Sequence, residues 1–296
     1  MKKIEQQVLT GERSLFAAQH LYVKNSVFED GESPLKESRD IKVEESIFKW
    51  KYPFWYSKRA DVNNSLLQDG ARAGIWYTDH IHIANTTIEA PKTFRRSTDI
   101  VLEHVDLPNA SETMWMCDGI AMNDVSVKGD YFAMNAANIK AEDFRIVGNY
   151  SFDGCKNVEI TNAKMLSKDA FWNCDNVVVR DSFITGEYIG WNSSNLTFIN
   201  CTIESLQGFC YIDGLTLQNC CLLKTNLAFE YCKDINAEVT TVIDSIKNPI
   251  SGTINAKGIG EIIFDDPGVN PQDTGIITFK ESPVKENVNA EIAVTA

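Results

Sequence analysis

Five of the six tryptophans in this 296-residue chain keep a common spacing. Trp55, Trp76, Arg95, Trp115, Met134, Asp153, Trp172, Trp191, Cys210 and Glu230 follow one another at intervals of 19–21 residues, and Lys36 extends the series upstream. In a stacked fold, residues at a fixed period form a column, here an aromatic ladder with Arg95 and two acids set into it. Tryptophan faces pack against the C–H faces of sugars, and rings repeated along a groove suit a linear polymer. A large exposed apolar surface normally marks a binding site. The alternative is that loops or a second copy of the chain cover the rings, making the ladder an oligomer interface on a non-catalytic scaffold.

Polar groups flank the ladder. The segments GDYF, SKDAFW and GEYIGW supply Asp130, Tyr131, Lys168, Asp169 and Glu187, while Asp153 and Glu230 lie in the column itself. Glycoside hydrolysis needs paired carboxylates, one as acid and one as base or nucleophile. A lysine or arginine near a carboxylate would instead suit β-elimination, in which a base takes a proton beside a uronate. Asp130, Asp153, Lys168, Asp169 and Glu187 are therefore the catalytic candidates. Trp55, Trp76, Arg95, Arg96, Trp115, Tyr131, Trp172, Trp191 and Glu230 are the ligand-binding candidates. Arg95 and Arg96, beside Trp76, Tyr77 and Trp115, would grip an anion, because a guanidinium holds a carboxylate with two parallel hydrogen bonds. His20, His80, His82 and His104 form no ligand cluster by spacing, although His80 and His82 would share a strand face, so no metal and no cofactor is expected. No G-x-S-x-G elbow and no phosphate loop is present.

The elements that would position these residues follow from the same period. IAMNDVSVKGDYFAMNAAN, IKAEDFRIVGNYSFDGCKN, VEITNAKMLSKDAFWNCDN, VVVRDSFITGEYIGWNSSN and LTFINCTIESLQGFCYIDG align residue for residue. Counting the opening residue of each as zero, positions zero and two, then five and seven, are apolar or small. These are two short period-2 strands with one face inward. Between them stand Asp124, Asp143, Asn162, Asp181, Asn200 and Asn219, residue types that tolerate left-handed backbone and suit a corner. Asn138, Asn157, Asn176 and Asn195 mark a second corner. A third inward column, six residues before each opening, holds Met114, Ala133, Phe152, Phe171, Gly190, Phe209 and Phe229. The tryptophan column, one residue later, faces out. Such coils bury a core only by stacking, which predicts an all-β, single-stranded right-handed parallel β-helix. A leucine-rich repeat is the rival at this period, but its helical return is missing.

Coils open at Leu21, Ile41, Ala60, Ile81, Ile100, Ile120, Ile139, Val158, Val177, Leu196, Leu215 and Ile235, about 12 coils of 19–21 residues. The expected layout is a single domain, capped at both ends: residues 1–20 as N-terminal cap, 21–250 as coils, 251–280 as C-terminal cap and 281–296 as a mobile tail. The net charge of −13 argues against nucleic acid, whose phosphates need clustered cations. Residues 36–96 depart from this, with eleven Lys or Arg against eight Asp or Glu. No apolar leader or membrane span is visible, so a cytoplasmic address is expected, with a carbohydrate ligand or a second copy of the chain as partner and no membrane. Cys117, Cys155, Cys174 and Cys232 share one column with serines and alanine, and Cys201 and Cys220 share another. This reads as reduced thiols filling small interior sites, with the adjacent Cys220 and Cys221 pointing to opposite faces.

The strings LTGERSLF, FEDGESPLKESR, FKWKYPFWY, ARAGIWYT, IEAPKTFRR, SKDAFWN, GEYIGWNS, NCTIES and DSIKNPISGTI resemble a bacterial family known only as domain of unknown function 3737. That family is similar to the pectin-lyase-like β-helices. The resemblance implies the fold and supplies no activity. Members of the wider group act on polysaccharides as lyases, hydrolases or esterases, but this chain lacks the N-T-D, D-D and G-H-G series of the polygalacturonase type. It also lacks a calcium-binding acid cluster of the pectate-lyase type.

Overall fold

The structure, a computed structural model, describes residues 1–278. It is a parallel β-helix of about 15 turns. The opening residues lie opposite one another in a continuous parallel ladder: Lys2, Leu21, Ile41, Ala60 and Ile81, then Ile100, Ile120, Ile139 and Val158, then Val177, Leu196, Leu215 and Ile235. Gly252 and Thr274 complete it. Coils beyond the twelve expected come from the two ends. Residues 2–20 hold strands Lys2–Glu5 and Val8–Leu9, paired in register with the next coil, where a cap was expected. Lys2 stands where the coils from Leu21 to Ile235 carry an apolar opening residue, which hid this coil from the hydrophobic pattern. At the other end, strands Gly252–Ile263 and Thr274–Thr278 continue the ladder despite the Pro and Gly turns between them. The expected tail, 281–296, lies outside the described residues, as do the last two residues of the expected C-terminal cap. Among the described residues no helix is long and apolar enough to cross a membrane.

The corners are where Asn and Asp were expected. Asn138, Asn157, Asn176 and Asn195 have φ of 54–60°, and the residues four after the openings from Leu21 to Leu215 are also left-handed, at 47–54°, Asn162 and Asn200 among them at 52° and 53°. Stacked in register, the amides also bond along the axis. Asn157 Nδ2 donates to Asn138 Oδ1, and Asn176 Nδ2 to Asn157 Oδ1, each at 2.9 Å. Each rung thereby supplies the acceptor that the next one needs.

The core is one continuous stack of inward columns running through the whole solenoid. Phe152 stacks on Phe171 with centroids 5.5 Å apart, and Phe209 on Phe229 at 5.9 Å. Gly190 interrupts this phenyl column. A Cβ on it would sit 2.5 Å from Leu196 Cδ2. The gap is filled from the neighbouring strand by Phe198, which touches Phe171 at 6.3 Å and Phe209 at 5.6 Å.

All eight cysteines are free. The thiols and serines of the mixed column hydrogen-bond to backbone. Cys174 Sγ reaches the carbonyl of Phe152 at 2.9 Å, and Ser193 Oγ donates to that of Phe171 at 2.7 Å. A small side chain with a donor satisfies a buried carbonyl of the previous coil. Cys220 is buried and Cys221 half-exposed, as opposite faces require.

Candidate functional site

The tryptophan column forms the outer flank of the coil side that carries the phenyl column, and its rings are half-buried, with only Trp191 in the exposed class. Each of four indole N–H groups donates to a backbone carbonyl of the following coil: Trp55 to Ala73, Trp76 to Lys92, Trp115 to Tyr131 and Trp172 to Tyr188, at 2.5–2.9 Å. These bonds fix the rings, so their relative tilt is set by the fold.

That tilt divides the ladder. Trp55 and Trp76 lie nearly parallel, 5.3 Å apart with 9° between planes. The Arg95 guanidinium continues the stack, 4.6 Å from the Trp76 ring and 4.7 Å from the Trp115 ring. In this half, neighbours cover one another's faces, and the flat sugar platforms expected from the sequence become ring edges. Farther along, Trp172 and Trp191 are 4.7 Å apart but tilted by 58°. Their splay opens a slot of about 230 Å³ lined by Trp172, Tyr188 and Trp191.

Beside this slot runs a second outward column, eight residues before each opening: Tyr131, Tyr150, Asp169 and Tyr188. Tyr131 stacks on Tyr150 at 4.9 Å, and Tyr150 meets Trp172 edge-on at 5.4 Å. Asp169 takes the place of a tyrosine and is buried, at 2% exposure. The Tyr150 phenol lies near enough to feel its charge, and Asp169 Oδ1 has no hydrogen-bond partner. Burial holds the Asp169 carboxyl above the ordinary carboxylate range, and its charge in turn raises the Tyr150 phenol. Among the described residues, two buried side-chain polar atoms lack a hydrogen-bond partner, Asp169 Oδ1 and Arg95 Nε. Both belong to this aromatic flank. Buried polar atoms are nearly always paired, so two orphans on one face call for a functional explanation.

The remaining candidates are engaged. Asp130 accepts the Asn149 amide N–H at 2.8 Å, and Asp153 accepts Asn173 Nδ2 at 2.8 Å. Lys168 and Glu187 pair with each other at 2.9 Å, a bond that raises the lysine pKa. Glu230 is held by Lys247 at 3.2 Å and by Gln207 at 2.8 Å. Arg96 is exposed on the next column out, past Arg95. Lys168, Asp169 and Glu187 thus belong to the two coils that carry the slot, without lining it, while Arg95, Arg96 and Glu230 lie coils away.

Tyr150 and Tyr188 were missed, although the spacing 131, 150, 169, 188 carries them. Also missed was a basic slot of about 320 Å³ lined by Tyr52, Trp55, Arg72, Ala73, Trp76, Pro91 and Lys92. Where the sequence led to no metal cluster, His80 is wedged between Asp79 at 2.7 Å and Asp99 at 3.4 Å, and the three offer ligand atoms within 4.8 Å of one another. All three are solvated to some degree, and His82 repeats the pattern between Asp61 and Glu103. The arrangement is an alternating charge ladder along the axis.

Among solved structures, the chain is similar to the A-module of mannuronan C-5 epimerase AlgE4 from Azotobacter vinelandii, at 10% identity, 94% coverage of this chain, 87% of that chain and TM-score 0.31. It is also similar to QnrB1, a plasmid-mediated fluoroquinolone resistance protein, at 14% identity, 75% and 93% coverage and TM-score 0.24. No curated protein matches. The family model described as Protein of unknown function (DUF3737) matches residues 2–277, and with the coil register and corners above this chain belongs to that family.

Proposed function

We propose that this protein binds an oligosaccharide along its aromatic flank, with a sugar ring seated in the slot between Trp172 and Trp191. The observation that carries this is the 58° splay of those two rings, in the coils that also hold Asp169, whose buried Oδ1 has no partner. Apolar ring faces would take the C–H surface of the sugar. Lys168, Glu187 and the tyrosine hydroxyls of Tyr150 and Tyr188 would take its hydroxyl groups, the usual division of labour in a small-molecule site. The test is a titration of the purified protein with a panel of neutral and acidic oligosaccharides, following tryptophan emission. A saturable change lost in Trp191→Ala supports the reading, and a flat response across the panel defeats it. Release of reducing ends in the same mixtures, abolished in Asp169→Asn, would assign Asp169 as an acid in cleavage.

A second reading has one specific observation in its favour. Tyr56, Tyr77, Met116, Tyr131, Trp191 and Tyr211 expose 36–49% of their surface along the same flank. A scaffold that self-associates through this strip would sediment as a dimer and become monomeric on Tyr77→Ser with Tyr211→Ser.

A further inference from the structure

The basic slot lies on the same flank as the Trp172 slot, five register steps away. The steps run Ile81, Ile100, Ile120, Ile139, Val158, Val177. At a strand spacing of about 4.8 Å per coil, the two slots are about 24 Å apart along the axis. They differ in charge. The Trp172 slot has Asp169 and Glu187 beside one lysine. The other has Arg72 and Lys92 at its walls and Arg95 stacked on its Trp76.

Those cations are under-compensated. Arg72 is exposed and has no carboxylate partner among the described residues. Glu112 serves both Lys92, at 3.0 Å, and Arg95, at 3.8 Å. Arg95 Nε is buried without an acceptor. In the coils of the other slot, by contrast, Lys168 is matched by Glu187 at 2.9 Å. In a chain of net charge −13, an aromatic slot with surplus cations selects an anion by sign alone. The apolar walls of Trp55, Trp76 and Tyr52 exclude a strongly hydrated bare ion in favour of an anionic group carried on a ring.

From this we infer that the basic slot holds the anionic group of an acidic oligosaccharide, a carboxylate or a sulfate. The same molecule runs parallel to the solenoid axis and seats a further ring at Trp172. This rests on the proposed function and adds to it a charge class, a direction and a minimum length. Each pyranose advances by a distance of the order of one coil, so only a chain of several rings reaches both slots. Joining the slots makes the second contact intramolecular, and affinity then rises steeply at the spanning length.

The experiment is a length series, from disaccharide to octasaccharide, of neutral, carboxylated and sulfated oligosaccharides, titrated into the full chain. Affinity for the acidic series should climb with length and level off once both slots are spanned, while the neutral series stays shallow. Arg72→Ala should lower the ratio of acidic to neutral affinity about tenfold for long chains, the scale of one charge-assisted hydrogen bond. Arg72→Lys should restore most of it. Circular dichroism of each variant confirms the fold. Equal binding of acidic and neutral long chains, unchanged by Arg72→Ala, would overturn this inference and leave the Trp172 slot standing. Inorganic sulfate that competes as well as the sulfated octasaccharide would also overturn it, marking a free-anion site. Silence of every sugar would defeat the proposed function and this inference together.

Discussion

Asp169→Asn should make the protein more stable near neutral pH and a poorer binder. The carboxylate is buried to 2% exposure with Oδ1 unpaired. A buried polar atom left without a partner costs about 1–3 kcal/mol, and more when it carries charge. Asparagine keeps the shape while removing the charge. Its own amide is still incompletely paired, so the net gain is at the low end, about 1 kcal/mol. The pH dependence has a definite sign. Burial raises the native carboxyl pKa above its ordinary 3.8. Between the unfolded and the native pKa the native state holds more protons, so wild-type stability falls as pH rises through that interval. The advantage of Asp169→Asn is therefore complete above the native pKa and vanishes below the unfolded one. Urea unfolding of both proteins from acid to neutral pH, read by far-ultraviolet circular dichroism, measures the difference directly. A variant less stable than wild type at neutral pH, or a difference that ignores pH, would refute the reasoning. Either result would mean that the charge on Asp169 is compensated in the folded state.

Other consequences are equally direct. Phe198→Ala removes a fully buried ring that bridges Phe171 and Phe209, and should cost about 3–5 kcal/mol in chemical denaturation, against under 1 kcal/mol if the coils collapse around the gap. Gly190→Ala should be destabilising despite its small size, because φ is +74° and the new methyl meets Leu196 Cδ2 at 2.5 Å; a melting temperature at or above wild type would contradict this. Burial pushes the thiols of Cys117, Cys174 and Cys210 up to about 12, so in native protein at pH 8 a thiol reagent should label the half-exposed Cys221 first, with the buried thiols responding only on unfolding. Trp191→Ala should keep the wild-type far-ultraviolet circular dichroism, since the residue lies on the outer flank at 36% exposure, while removing the sugar-dependent change in emission.

Much of the fold was legible because a parallel β-helix turns sequence period into spatial register. Once the coil length is known, Phe152 must lie beside Phe171 and Asn157 beside Asn138, since each residue pairs with its equivalent one coil on. What failed at the ends failed for a stated reason. Lys2 breaks the apolar pattern, yet the backbone of Lys2–Glu5 pairs as any strand does, because ladder hydrogen bonds are indifferent to side chain.

The site was only half legible. Columns name the residues that can meet, so Trp172, Trp191, Lys168, Asp169 and Glu187 were identifiable as neighbours from their spacing alone. Whether Trp55 and Trp76 close into a flat stack while Trp172 and Trp191 splay apart depends on what each ring meets on either side, and spacing carries no record of that. The same holds for which acid stays free. Asp130, Asp153, Asp169 and Glu187 are alike in sequence, and three of them find partners in adjacent coils while Asp169 keeps an empty oxygen under aromatic cover. The period of the sequence thus determined fold, columns and corners, because stacking transmits one-dimensional order along the axis. Tilt, burial and pairing were decided only by the packed tertiary structure, because they depend on side-chain volumes and donors meeting across several coils at once.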